Sequence, residues 1–281
     1  MNKAGCLDPK VDSEELYSFL TGLDKVEIFV RGEEEVDPET ERKYFKLIRK
    51  REERIPLQHI TGEQEFMGFR FYVSEDALIP RQDTETLVVE AARALRDNPA
   101  KKPGFFERLR GKGNREILDL CCGSGIIGVS LKRISEGLDL TASDVSEGDV
   151  ALAERNARLN HVEGEFLQGD LFEPVKDRKF DMILSNPPYI KTNMIGLLQD
   201  EVKDHEPRIA LDGGKDGLDF YRRIVEQAPD HLKKDGFLML EIGHDQGEEL
   251  KTMIGRTGKF RDLIVLKDLG GRDRVVSCRR I

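Results

Sequence analysis

The sequence predicts an α/β fold in which a mostly parallel sheet is covered by helices on both faces. The first observation is that short apolar runs, each suited to a buried strand, alternate with helical patterns along the C-terminal part of the chain. There are seven such runs, at residues 116–120, 138–142, 165–167, 180–184, 237–242, 260–266 and 274–278. The second observation is that only a short turn around Gly270 and Gly271 separates the last two runs. Because this turn is too short for a crossover helix, the last two strands are predicted to be antiparallel.

Residues 1–85 show a different pattern, which is helical and then briefly extended. Asp12 or Ser13 is predicted to cap a first helix, which carries Leu16, Phe19 and Leu20. A later helix is predicted to begin at Asp37 as N-cap, with Pro38 in the first helical position. One face of this helix is basic and carries Arg42, Lys43, Lys46, Arg49, Lys50, Arg51 and Arg54. We interpret that face as a solvated surface in preference to a patch that docks a partner.

A β-hairpin and a loop are predicted between the helical region and the sheet. The residues Phe66, Phe69, Phe71 and Val73 alternate with other residues around Gly68, which is typical of two short strands. A helix is predicted over residues 84–95. Residues 97–114 are rich in Gly, Pro and Lys, which indicates a linker or an exposed loop.

The composition excludes several classes of protein. The 281 residues include 45 basic and 54 acidic side chains, and a net charge of -9 is unfavourable for a general nucleic-acid binder. No apolar run approaches the roughly 20 residues of a membrane span, and the first residues lack the apolar core of a signal peptide. The cysteines are Cys6, Cys121, Cys122 and Cys278. Because neither they nor the five histidines have metal-ligand spacing, we expect a protein of the reducing cytoplasm without a metal centre.

A glycine-rich turn follows the first predicted strand of the sheet. The sequence from Ile117 to Gly128 is ILDLCCGSGIIG, in which a strand runs into a turn that opens a helix. Small residues there let the backbone approach a ligand, and the free N–H groups of the helix start point towards it. The spacing Gly123-x-Gly125-x-x-Gly128 also fits a dinucleotide fingerprint. This segment alone does not distinguish between a nicotinamide enzyme, a methyltransferase and a turn with only a structural role.

Acidic residues follow three successive predicted strands. Asp119 lies just before the glycine turn at the end of the first strand, Asp144 lies at the end of the second, and Asp170 follows the third. The carboxyl ends of strands in an open α/β sheet are the place where such folds bind ligands. Three carboxylates disfavour a pyrophosphate and favour a cationic sulfonium ligand that also carries an amino group and ribose hydroxyls. Asp144 suits a ribose hydroxyl with either class of ligand.

The fourth strand ends in the segment Asn186-Pro187-Pro188-Tyr189. Two consecutive prolines cannot continue a central strand, so the chain leaves the sheet in a rigid, extended form. The Asn186 side-chain oxygen and a proline carbonyl can together accept both N–H groups of a planar amine. This would turn the nitrogen lone pair towards an electrophilic methyl group. Tyr189 can lie against the planar substrate group.

In these motifs and several others the chain resembles the HemK/PrmC protein-glutamine N5-methyltransferases. The resemblance covers nearly the whole chain and is carried by PLQHITG at 56–62, residues 65–68, LIPRQDTE at 78–85, the glycine turn, GDLF at 169–172, NPPYI at 186–190, Glu206-Pro207 and residues 211–218. It implies a helical N-terminal substrate-recognition domain (1–62), a β-hairpin linker (63–83) and a class I S-adenosylmethionine-dependent methyltransferase domain (84–281). That domain would have a Rossmann-like seven-stranded sheet whose last strand is antiparallel.

The resemblance also implies a set of site residues. The cofactor S-adenosylmethionine would be bound by Asp119, Cys121, Cys122, Gly123, Ser124, Gly125, Asp144, Asp170, Leu171 and Asn186. The substrate glutamine would be bound by Asn186, Pro187, Pro188 and Tyr189, of which Asn186, Pro187 and Tyr189 would be catalytic. Within this set, residues 121–125 would wrap the methionine part of the cofactor, Asp144 would hold the ribose, and Asp170 with Leu171 would flank the adenine.

The chain departs from the family pattern at four positions. Cys121 replaces the usual glycine, Cys122 a common threonine and Gln82 the usual proline, and Leu171 stands where some members have an aromatic residue. A Cβ at Cys121 leaves the turn open if its φ is negative. None of these changes removes a group that the chemistry needs.

Arg81 and Glu85 have two interpretations. They either orient the loop or the substrate backbone, or they form a local i,i+4 ion pair.

The implied function is methylation of the glutamine in the Gly-Gly-Gln motif of class 1 peptide chain release factors. Alternatives are glutamine methylation of a ribosomal protein, N6-adenine methylation of nucleic acid, a nicotinamide-dependent oxidoreductase, and a non-catalytic module that binds the ribosome or a release factor. The net charge and the lack of an evident target-recognition domain weigh against adenine methylation. A nicotinamide enzyme would not explain the proline-rich turn. We expect a cytoplasmic monomer without membrane association or direct nucleic-acid binding.

Overall fold

The computed structural model describes residues 1–98 and 114–281. The helices are α1 (Pro9–Thr21), α2 (Lys25–Val30), α3 (Pro38–Glu52), α4 (Leu57–Thr61), α5 (Glu85–Asp97), α6 (Ile126–Ile134), α7 (Glu147–Leu159), α8 (Asp200–Lys203), α9 (Asp219–His231) and α10 (Gly247–Arg256). The strands are β1 (Glu63–Phe66), β2 (Phe69–Tyr72), β3 (Arg115–Leu120), β4 (Leu138–Asp144), β5 (Gly164–Gln168), β6 (Phe180–Ser185), β7 (Leu232–Glu241), β8 (Phe260–Lys267) and β9 (Asp273–Arg280). Most of the stretch predicted as a linker, residues 97–114, lies outside the described residues.

A seven-stranded sheet of order β5-β4-β3-β6-β7-β9-β8 forms the centre of the fold. Strands β3, β4, β5, β6 and β7 are parallel to one another, whereas β9 is antiparallel to both β7 and β8. The prediction of an α/β fold with seven strands and an antiparallel last pair is therefore confirmed. Within the described ranges, no helix is long and apolar enough to cross a membrane.

The central strand β3 is buried on both faces, as expected for a parallel sheet between helices. Ile117 faces a core cluster that contains Leu87 of α5 and Leu131 of α6. Leu118 and Leu120 face the opposite cluster, which α9 and α10 supply with apolar side chains such as Ile224 and Ile254. This alternation places Asp119 on the same face as Ile117.

The helical N-terminal part begins earlier than the sequence predicts. Helix α1 starts at Pro9, with Asp8 in the N-cap position, because proline in the first turn favours helix entry there. The prediction of Asp12 or Ser13 as cap is wrong, and Asp12 is instead buried against Arg51 of α3, at 2.8 Å from its Nε. The prediction for α3 is confirmed, since the Asp37 side chain accepts from the N–H groups of Glu39 and Thr40.

The predicted hairpin is confirmed as the antiparallel pair β1 and β2. The turn residues Met67 and Gly68 have φ values of +55° and +75°, as a two-residue hairpin turn requires. The Asn156 side chain on α7 fixes the hairpin by accepting from the Tyr72 N–H at 2.7 Å and donating to the Tyr72 carbonyl at 3.0 Å. The same amide donates to the Ser124 carbonyl at 2.9 Å, which links the hairpin to the glycine turn.

The helical part is also joined to the segment that follows β6. Glu201 of α8 accepts hydrogen bonds from Arg51 Nη2 at 2.9 Å and from Arg54 Nε at 2.8 Å. Arg51 is buried between Glu201 and Asp12. Part of the basic face of α3 is therefore an internal ion-pair network, which corrects the interpretation of that whole face as solvated surface.

Candidate active site

A cavity of about 270 Å³ opens at the carboxyl ends of the parallel strands. It is lined by most of the residues predicted to bind the cofactor: Cys121, Cys122, Gly123, Ser124, Asp144, Asp170, Leu171 and Asn186. The structure does not bring Asp119 and Gly125 to the cavity wall. Asp119 is fully buried on the face of β3 that packs beneath α6.

The turn between β3 and α6 is left-handed at alternate positions. The φ values of Cys121, Gly123 and Gly125 are +57°, +50° and +78°. The condition of a negative φ at Cys121 is therefore not met, and a residue with a Cβ pays about 1–2 kcal/mol for this conformation. The Gly123 N–H donates to Asp144 Oδ2 at 2.9 Å, which fixes the turn against the end of β4.

Gly125, the N-cap of α6, and Gly128, in the first turn of that helix, are required for packing inside the fold. A Cβ at Gly125 would lie 2.9 Å from the Cβ of Ala153, and one at Gly128 would lie 2.6 Å from Leu140 Cδ1. The Gly128 N–H donates to Asp119 Oδ2 at 2.8 Å. The resemblance of this spacing to a dinucleotide fingerprint thus comes in part from helix packing against the sheet.

The three predicted carboxylates are held in three different ways. Burial raises the pKa of Asp119 to about 8, and its Oδ2 accepts from the backbone N–H of Gly128. The two oxygens of Asp144 accept from the backbone N–H groups of Gly123 and Ser146, and burial raises its pKa as well. Asp170 Oδ2 accepts from Arg223 Nη2 at 2.6 Å. Of the three acids predicted at the strand ends, Asp144 and Asp170 line the cavity and Asp119 does not.

A fourth acid, Asp149, lines the cavity and was not predicted. Its side chain is buried, and among the described residues its Oδ1 has no hydrogen-bond partner. Burial, with the nearby carboxylates of Asp144 and Asp76, raises its pKa to about 7. In the sequence it is three residues after Ser146, the N-cap of α7, so its pattern indicates only a capping role. An unpartnered buried carboxylate oxygen fits a ligand that carries positive charge and N–H or O–H donors.

A second pocket, of about 90 Å³, adjoins the cavity. Asn186, which follows β6, lies in the wall of both. Pro187, Tyr189 and Glu241 also line the smaller pocket, whereas no residue of the glycine turn does. One asparagine therefore lines both spaces, which is the position that the sequence-based hypothesis requires.

The segment after β6 is clamped by close backbone contacts. A Cβ at Gly213 would lie 2.7 Å from Tyr189 Cα, and one at Gly217 would lie 2.4 Å from the Tyr189 carbonyl oxygen. Gln246 Nε2 donates to the same carbonyl at 3.1 Å. The two glycines thus allow the chain to pass directly over Tyr189 and to fix its backbone.

The segment LIPRQDTE contacts the site from the N-terminal side. Arg81 lines both pockets and forms an ion pair with the buried carboxylate of Glu206. Glu85 Oε1 instead accepts from the Met67 N–H at 3.1 Å. The interpretation of Arg81 and Glu85 as a local ion pair is therefore wrong, and Arg81 connects the linker to the segment that follows β6.

Fold and site together define a class I S-adenosylmethionine-dependent methyltransferase. A family model described as the methyltransferase small domain matches residues 104–200, and one described as the PrmC N-terminal domain matches residues 1–62. The fold is shared with a solved methyltransferase from Pyrococcus furiosus, with a TM-score of 0.52, 18% sequence identity and coverage of 76% of this chain and 90% of that one.

Curated relatives fix the family. A release factor glutamine methyltransferase from Geobacter sulfurreducens is 41% identical over 275 residues, which cover 98% of this chain and 91% of that protein. A relative of the same name from Clostridium acetobutylicum is 36% identical and covers 96% of this chain and 90% of its own. The chain belongs to the family of release factor glutamine methyltransferases, and the predicted dependence on S-adenosylmethionine is confirmed by this membership.

Proposed function

We propose that this protein transfers the methyl group of S-adenosylmethionine to the side-chain amide nitrogen (N5) of the glutamine in the Gly-Gly-Gln motif of class 1 peptide chain release factors. The names of its relatives support this substrate. The observation that carries the chemistry is the position of Asn186 in the wall of both pockets. A group held there can meet a substrate amide on one side and a cofactor on the other.

The larger cavity is the proposed cofactor site. When bound, S-adenosylmethionine supplies an electrophilic methyl group on a positively charged sulfur. The turn from Cys121 to Gly125 would wrap its methionine part, and Asp144 would accept from its ribose hydroxyls. The Asp144 oxygens already accept from two backbone N–H groups, but a carboxylate has about four acceptor positions and keeps room for a ligand. Asp170 and Leu171 would flank the adenine.

The smaller pocket is the proposed glutamine site. An amide nitrogen is a poor nucleophile because its lone pair is delocalised into the carbonyl. Asn186 Oδ1 and the Pro187 carbonyl would accept both N–H groups of the glutamine and turn the lone pair towards the methyl group. The clamped backbone at Tyr189 and the two prolines hold these acceptors in place before the substrate arrives. The substrate nitrogen becomes acidic only after methylation, so no strong base is needed before attack.

The helical N-terminal part is proposed to select the protein substrate. Helix α2 exposes an apolar surface formed by Val26, Phe29 and Val30, and 86% of Phe29 is exposed. Exposed apolar side chains grouped on one short helix favour a protein contact. We further propose that the protein acts in the cytoplasm as a monomer and does not bind nucleic acid directly.

The test is to locate the methyl group. The purified chain is incubated with labelled S-adenosylmethionine and a class 1 release factor, and the modified residue is mapped by mass spectrometry. We expect label on the Gly-Gly-Gln glutamine and none on a release factor in which that glutamine is replaced by alanine. Parallel incubations contain ribosomal proteins or nucleic acid. Label on those molecules alone would contradict the proposal and favour the corresponding alternative.

The role of Asn186 is tested by Asn186→Ala. Loss of a preorganised acceptor is expected to lower kcat by about two to three orders of magnitude, with little change in cofactor affinity. Asn114→Ala, a change at an exposed asparagine near the opposite end of β3, is the control and is expected to leave both quantities unchanged. Undiminished kcat in Asn186→Ala would overturn the assigned role.

A further inference from the structure

We propose that Asp149 is a second acidic contact for the ribose of S-adenosylmethionine, beside Asp144, and that it is ionised when the cofactor is bound. Asp149 is not among the cofactor residues that the family resemblance implies. This inference rests on one part of the proposed function, namely that the larger cavity is the cofactor site. It does not depend on which protein is methylated.

Asp149 lies in the first turn of α7, close to the end of β4. Its side chain is only 5% exposed, it lines the larger cavity, and its Oδ1 has no hydrogen-bond partner among the described residues. Ser146 contacts both this residue and Asp144. The Ser146 N–H donates to Asp144 Oδ1 at 3.1 Å, and the Ser146 hydroxyl accepts from the Asp149 N–H at 3.2 Å. The two acids are therefore neighbours in the wall of one cavity.

The capping of α7 does not use the Asp149 carboxylate. In a capping box, the acid at the third helical position accepts from the backbone N–H of the N-cap residue. Asp149 occupies this third position after the N-cap Ser146, but the Ser146 N–H donates to Asp144 instead. The carboxylate is therefore left for another donor, and a buried acceptor costs free energy until a donor reaches it. The cavity is the side from which a donor can come.

The charges around Asp149 favour a ligand that brings donors and positive charge. The charged side chains that act on it are two further carboxylates, those of Asp144 and of Asp76 in the linker. Asp76 is close to the same helix turn, since a Cβ at Gly148 would lie 3.5 Å from Asp76 Oδ2. The Cys122 thiol of the glycine turn remains protonated, because burial raises its pKa. Carboxylates crowded in this way repel each other, and donors from a cationic ligand relieve the repulsion.

A ribose fits two neighbouring acids because it carries hydroxyl groups on two adjacent carbons. The oxygens of Asp144 already accept from the backbone N–H groups of Gly123 and Ser146, which uses about half of the acceptor positions of this carboxylate. Asp149 supplies further acceptor positions beside them. An ionised carboxylate only accepts, so it matches hydroxyl donors without a competing proton of its own. The positive charge of S-adenosylmethionine also favours the ionised form.

The consequence is that cofactor binding releases a proton from Asp149. Burial and the carboxylates of Asp144 and Asp76 raise the pKa of Asp149 to about 7, so about half of the molecules are protonated there at pH 7. Binding that requires the ionised form releases about half a proton at pH 7, and the affinity rises about tenfold from pH 6 to pH 8. The pKa of Asp144 is also raised and adds to both quantities. The contribution of Asp149 is therefore the difference between the wild-type chain and a variant.

The experiment is calorimetric titration of the full-length chain in the absence of a release factor. The ligands are S-adenosylmethionine and 5′-methylthioadenosine, which keeps the ribose and adenine but lacks the amino-acid part and the positive charge. At pH 8 we expect Asp149→Asn to bind both ligands about tenfold more weakly than the wild-type chain. Titrations with S-adenosylmethionine at pH 7, in two buffers of different ionisation enthalpy, count the released protons, and Asp149→Asn should release about half a proton less. The matched control is Glu147→Gln, a change at an exposed acid of the same helix turn, which should alter neither quantity.

Three results would overturn the inference: wild-type affinity of Asp149→Asn for both ligands, an unchanged proton count, or a loss confined to S-adenosylmethionine. The last result would place Asp149 at the amino-acid part of the cofactor instead of the ribose. If Asp149→Asn does not fold, Asp149→Ala, which also removes the crowded charge, is titrated in its place. Failure of the proposed function is recognised separately. A wrong cofactor cavity would leave the affinity of Asp144→Ala unchanged as well, and a wrong substrate would appear as missing label on the release factor glutamine, which these titrations do not involve.

Discussion

The ion-pair network between the helical part and the segment after β6 predicts a large and pH-dependent effect for Glu201→Gln. Glu201 receives hydrogen bonds from Arg51 and Arg54, and Arg51 is buried. Glutamine keeps the shape of the side chain but removes the negative charge and places an NH2 group near two guanidinium groups. Because one partner of a buried pair is lost, we expect the free energy of unfolding at pH 7 to fall by about 3 kcal/mol.

The sign of the pH dependence follows from the pKa of Glu201. Burial opposes ionisation, but the hydrogen bonds from Arg54 and Arg51 prevail and lower the pKa from 4.5 to about 2. A group with a lowered pKa in the folded state stabilises the fold fully above its unfolded pKa and loses that contribution as the pH falls towards the folded value. The difference in unfolding free energy between wild type and Glu201→Gln should therefore be constant from pH 6 to pH 8 and shrink below about pH 4.5.

Urea unfolding followed by circular dichroism measures this difference, since the chain has no tryptophan to serve as a fluorescent probe. The matched control is Asp216→Asn, which breaks the exposed pair of Asp216 with Arg222 and should cost less than about 1 kcal/mol. Equal losses in the two variants would refute the reasoning, and so would a wild-type advantage over Glu201→Gln that grows as the pH falls from 6 to 4.

Three other predictions concern the cofactor turn, the ribose acid and the exposed helix. Asp144→Ala should weaken S-adenosylmethionine binding at least about tenfold by calorimetry, because charged hydrogen bonds are lost, and unchanged affinity would refute the ribose assignment. Cys121→Val should lower the free energy of unfolding by about 1–2 kcal/mol in urea while Cys121→Gly does not, since a β-branched residue strains a φ of +57°; the reverse order would contradict this. Phe29→Ser should raise the KM for an intact release factor about tenfold and leave the KM for a short Gly-Gly-Gln peptide unchanged, whereas equal changes would count against recognition by α2.

The sheet and the segment after β6 could be predicted because their signals are local. Apolar runs mark each strand, and two prolines directly after a buried strand can only leave the sheet. The hairpin was equally local, since its turn residues Met67 and Gly68 separate two short alternating runs. Such features depend on neighbours in sequence, so no knowledge of the tertiary contacts was needed.

The features that sequence reasoning missed depend on contacts between distant segments. The ion pair of Arg81 with Glu206 forms only after the linker has folded over the sheet. Asp149 is a plain capping residue until the cavity forms beside it. The burial of Asp119 beneath α6 was also not predicted, because an acid near the end of a strand gives no sign of whether it faces the ligand or a helix. In each case the sequence did not show which side chains of distant helices, strands and loops come into contact.

The single amide of Asn156 has a consequence for how this enzyme is organised. By joining the hairpin to the glycine turn, it makes the hairpin part of the framework of the proposed cofactor cavity, so the N-terminal part is not an independent attachment. A shortened chain that begins after Tyr72 would leave this amide with unmet hydrogen bonds directly behind Ser124. The N-terminal parts of two relatives can therefore be exchanged only if the asparagine at position 156 is retained or exchanged together with the hairpin.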